Sequence, residues 1–88
     1  MKRKIIEIFG WYGAVAILGA YTLASFEILK PASLIFQLLN VTGAFGIVIV
    51  SLYKRAYQPA VLNIVWAIVA IVAILNLLFQ FWNINIFI

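Results

Sequence analysis

Neither cysteine nor histidine occurs in the chain, and Glu7 and Glu27 are the only carboxylates among its 88 residues. These absences rule out a disulfide, a thiolate nucleophile, an imidazole base and a Cys/His metal site. The two glutamates stand near opposite ends of the first apolar run. On a helix rising 1.5 Å per residue that places them about 30 Å apart, too far to share one acid/base reaction. The reading is therefore of a non-enzyme with no catalytic residues, no metal and no cofactor.

Charge is scarce too, at 9% of residues, while 68% are hydrophobic and mean hydropathy is +1.22. A soluble domain of this size has too little interior to hide so much apolar surface, which leaves lipid as the solvent. Three apolar runs fill the chain: Ile8–Leu29, Leu34–Tyr53 and Ala60–Phe81. A bilayer core needs about 20 helical residues to be crossed. The Val, Leu, Ile and Phe residues between Val61 and Phe79 alone favour insertion by about 4–8 kcal/mol, against smaller penalties at Asn63 and Asn76. The pattern predicts an all-α membrane protein, one domain over residues 1–88, with transmembrane helices at about 8–29, 34–53 and 60–81.

The formal net charge is +4. The basic residues punctuate helix ends instead of forming a stripe, which argues for topology signals and against a nucleic-acid partner. Lys2, Arg3, Lys4, Lys54 and Arg55 fall on one side and Lys30 on the other. This bias predicts the N-terminus inside and the C-terminus outside. The apolar stretch after Lys4 runs well past the 7–15 residues of a signal-peptide core, which predicts an uncleaved first helix. Lys30 and Pro31 are read as ending that helix. Pro59 sits in the first turn of the third, where its missing N–H costs nothing. Trp11, Tyr12, Tyr53, Tyr57 and Trp82 fall near run ends, as an interfacial belt does, and the tail Trp82–Ile88 is read as interfacial.

Some residues are not explained by lipid. Gly13, Ala16, Ala20 and Ala24 form a small-residue stripe at helical spacing, and Gly43 and Gly46 mark a second. Small residues let helices approach closely where no hydrophobic drive exists between them. Glu27 extends the first stripe, and Lys30 three residues on gives it an ion-pair partner. Gln37, Asn40 and Ser51 share a face of helix two; Asn63 and Trp66 lie on or beside one face of helix three; Tyr21 lies beside the small stripe of helix one. An amide in hydrocarbon must find a partner. One reading is hydrogen bonding between helices. The other is a hydrated solute cavity of Asn40, Asn63, Trp66, Gln37, Tyr21 and Ser51, with Trp66 as a stacking wall.

The order of features, three helices, a basic turn after the second, then Tyr57-Gln58-Pro59 with Asn63, resembles the SemiSWEET/PQ-loop half-transporters. That resemblance implies a three-helix bundle that pairs as a parallel homodimer around a central path, with Asn63 at the substrate site. The Pro-Gln dipeptide of that family's first helix is replaced here by Ser25-Phe26-Glu27-Ile28-Leu29. The pattern Gly19-Ala20-Tyr21, Leu39-Asn40 with Thr42-Gly43-Ala44, and Pro59, Asn63 and Trp66 is also similar to a group of small bacterial inner-membrane proteins related to it. The function expected on this basis is a homodimeric half-transporter-like module for a small polar solute in a bacterial inner membrane. Two other readings stay open: an accessory subunit assembling with a larger membrane-protein partner, and a holin-like pore former.

Overall fold

A computed structural model describes residues 2–87, with side chains as far as Asn83. It contains three helices, α1 (Lys2–Ser25), α2 (Leu34–Tyr53) and α3 (Tyr57–Phe87). All three are long and apolar enough to cross a membrane.

α2 occupies the run read from the sequence. Ser33 caps it in extended conformation, its hydroxyl accepting from the Phe36 N–H at 3.2 Å. α1 differs at both ends. It begins at Lys2, because lysine, arginine and glutamate are good helix formers and hydropathy marks the membrane span, not the helix. It stops at Ser25, short of Leu29. The Ile28 N–H donates to the Leu23 carbonyl at 2.9 Å and the Glu27 N–H to Ala24 at 3.1 Å, around a left-handed Glu27 with φ 61°. This is a Schellman termination. Glu27 therefore leaves the helix, does not extend its small stripe, and loses the spacing that would pair it with Lys30. Among the described residues the ion pair is instead Lys54 Nζ to Glu7 Oε1, at 2.8 Å.

α2 ends in the same way. Ala56 N–H donates to Ser51 and Arg55 N–H to Leu52, with Arg55 at φ 57°. α3 then starts at once. Pro59 is its third residue, inside the turn whose N–H groups have no helical acceptor. α3 also runs past Phe81 to Phe87, so Trp82 and Asn83 are helical. The interfacial reading of Ile84–Ile88 falls on side chains outside the described residues.

α2 is the shared partner in the packing. α1 and α3 each lie along it, and among the described residues no α1 Cα lies within 8 Å of an α3 Cα. The arrangement is open between α1 and α3, not a closed three-way bundle. The α1–α2 seam is built from glycine. A Cβ on Gly13 would strike the Gly43 carbonyl oxygen, and one on Gly46 would strike that of Phe9. The α2–α3 seam is built from alanine: Ala44, Ala67 and Ala70 pack with Val41 in one buried cluster. No large side chain is fully buried among the described residues, and the outward faces carry exposed Trp11, Ile28 and Phe79. Helices in lipid gain by backbone approach and dispersion, not by hiding large apolar groups.

Candidate functional site

The gap between α1 and α3 is a cleft of about 510 Å³ floored by α2, within the usual size range of small-molecule sites. Its walls come from the end of α1 (Tyr21, Ala24, Ser25), the first two turns of α2 (Phe36, Gln37, Asn40) and the middle of α3 (Trp66, Val69, Ala70), with Pro31 above. Helix register explains this grouping. Gln37 and Asn40 stand near the start of α2, and Tyr21 stands near the end of an antiparallel α1, so both reach the same depth. Trp66 to Ala70 lie about 13–20 Å along α3 from Tyr57, and Asn40 lies about 20 Å along α2 from Tyr53, at 1.5 Å per residue.

Gln37 is positioned by its own amide, which donates from Nε2 to the Pro31 carbonyl at 3.0 Å. That bond ties the first turn of α2 to the connection before it. Tyr21 and Trp66 are exposed aromatic flanks at 68% and 49%, one on each side of the opening.

Asn40 is different from both. It is only 5% exposed, and its side chain makes no hydrogen bond to another described residue. No enclosed side-chain nitrogen or oxygen lacks a partner among the described residues, so the unpaired amide atoms of Asn40 open onto the cleft. A carboxamide offers two donors and an acceptor. Here they face a space whose walls carry no charged group.

Two residues of the sequence reading lie outside this cleft. Asn63 shares an azimuth with Ala70 but sits about 10 Å lower on α3. Its Nδ2 donates to the Pro59 carbonyl of its own helix at 2.9 Å. Ser51 is buried at the far end of α2, about 16 Å from Asn40 along the axis. Asn40 and Asn63 therefore do not meet. Of the small residues, Gly13, Ala16, Ala20, Gly43 and Gly46 are buried, whereas Ala24 lines the cleft. Ser25, four residues after Tyr21 on the same side of α1, lines it as well, as do Phe36 and Val69, which carry no sequence signal of their own. Register counted from the connections is the signal that selects them. On the opposite groove, Tyr12 Oη and Thr42 Oγ1 are 2.8 Å apart, with Thr42 also donating to Leu38.

Fold and site define an all-helical protein with three candidate membrane spans and an uncharged cleft between them. Residues 6–81 match the model of an uncharacterised protein family, and the chain belongs to that family. The match runs from α1 to Phe81 in α3. Comparison with curated proteins and with solved structures returns no match.

Proposed function

We propose that the protein is a membrane-embedded half-transporter-like module that binds a small, uncharged polar solute in the cleft between α1 and α3. The observation that supports this most is the Asn40 amide. Leaving such a group unpaired in an apolar setting costs a few kcal/mol, so water or a solute is expected on it. Trp66 and Tyr21 supply flat surfaces for the solute's apolar face. One chain leaves the cleft unwalled between α1 and α3. A second copy facing it, the arrangement that the sequence reading as a SemiSWEET/PQ-loop-like half-transporter implies, would complete a path. The excess of Lys and Arg at the α1 start and the α2–α3 connection favours a cytoplasmic N-terminus and an outer C-terminus.

Uptake of labelled uncharged solutes into proteoliposomes tests the proposal. Uptake above empty vesicles is expected, lost in Asn40→Leu and kept in Asn63→Ala. No uptake of any solute, or equal uptake by Asn40→Leu, overturns it. The open side of the cleft also favours a second reading, a subunit that seats a helix of a larger membrane protein there. Cross-linking from Tyr21→Cys in native membranes separates the two, since a homodimer gives a product of twice the chain mass and a subunit gives a larger one.

A further inference from the structure

Away from the cleft, at the opposite end of the molecule, the Glu7–Lys54 pair stands at the mouth of a groove between α1 and α2. Gly10 and Ala14 on α1 and Val50 on α2 form its walls, Trp11 its edge, and its volume is about 240 Å³. A second concavity, lined by Arg3, Lys4, Ile8 and Trp11, shares Glu7 and Trp11 with the first. Lys54 lines the groove, Arg3 and Lys4 line the concavity next to it, and Glu7 is the one carboxylate common to both. Below the entrance the side chains are small or apolar. Trp11 is 70% exposed at the level where an indole sits between headgroup and acyl chain.

We propose that this groove binds one anionic phospholipid, its phosphate held by Arg3, Lys4 and Lys54 and one acyl chain laid along Gly10, Ala14 and Val50. The charge complementarity is specific to this groove. The other α1–α2 groove, lined by Phe9, Tyr12, Thr42 and Phe45, carries no cation. Glu7 pairs with Lys54 and so competes with the phosphate. The bound lipid takes over the lysine, and its headgroup orders the start of α1 against the end of α2. Basic sites at helix ends recognise anionic headgroups through their phosphates, each cation contributing about fivefold in affinity near the surface.

The test is native mass spectrometry of the full chain in detergent with added phosphatidylglycerol or phosphatidylcholine of the same acyl chains. One phosphatidylglycerol should bind at least tenfold tighter than phosphatidylcholine. Lys54→Gln should weaken it about fivefold. Glu7→Gln should tighten it, because the competing carboxylate is gone. Ala14→Leu, at an exposed position away from the glycine seam, should block the acyl chain and weaken both lipids. Equal binding of the two lipids overturns the proposal, as does a headgroup preference indifferent to Lys54→Gln and Glu7→Gln. Should Lys54→Gln fail to fold, Glu7→Gln and Ala14→Leu decide alone. Neither variant touches the cleft residues, so failure here leaves the solute-binding reading standing, and the converse holds.

Discussion

Gly13 of α1 faces Gly43 of α2 so closely that the carbonyl oxygen of one occupies the place a Cβ would need on the other. The α1–α2 seam therefore depends on the absence of side chains at these two positions. Gly13→Ala should destabilise the protein by about 1–3 kcal/mol, the usual cost of overpacking. Gly19, with nothing within 4 Å of a built Cβ, is the control, and Gly19→Ala should stabilise by about 0.5–1 kcal/mol through helix propensity. Thermal unfolding in one detergent measures both. Equal stability of Gly13→Ala and wild type would show that the helices are not this close.

Glu27 adopts a left-handed conformation to end α1, at the position where glycine is usual. A side chain there costs about 1–2 kcal/mol. Glu27→Gly should raise stability by about 0.5–1 kcal/mol, net of the extra freedom glycine has in the unfolded chain. Glu27→Ala should give no such gain. A gain with alanine would point to the charge, not the backbone.

The Glu7–Lys54 pair is partly exposed, at 35% and 55% of the two side chains. Solvent and ions screen such a pair. A double-mutant cycle on Glu7→Gln and Lys54→Gln should give a coupling below about 1 kcal/mol, decreasing as salt is raised. A larger, salt-insensitive value would mean the pair is shielded from water.

Asn40→Leu removes an amide that has no protein partner, so no hydrogen bond between residues is lost. Its unfolding midpoint should match or exceed the wild type, since an apolar side chain of the same branched shape, its extra bulk extending into the cleft, avoids the desolvation cost. Tyr12→Phe, which loses the hydroxyl contact to Thr42, should cost about 0.6 kcal/mol, the average for hydrogen bonds between membrane helices. An Asn40→Leu variant that unfolds well below wild type would reveal a partner for the amide within the protein.

Much of the fold was readable from single residues. The apolar run Leu34–Tyr53 and the Lys54-Arg55 turn after it bracket α2 because hydropathy and termination are local. The end of α1 was not readable, since Lys30-Pro31 is the stronger textual signal but a non-glycine Schellman turn acts first. In the site, Asn40, Gln37, Tyr21 and Trp66 share the cleft because their distances from the connections match. Asn63 and Ser51 share faces with cleft residues but not their depth. Periodicity reports the face of a helix and is silent about height.

The sequence by itself determined that three helices form and that lipid suits their surfaces, because length, hydropathy and local capping are properties of each segment alone. It also placed the small residues in stripes. Which helix lies in the middle, which stripes meet, and that α1 and α3 stand apart over a buried, unpaired Asn40 were decided only by tertiary structure. The reason is steric and relational: backbones approach where two side-chain-free surfaces coincide at the same depth, and that coincidence belongs to pairs of helices.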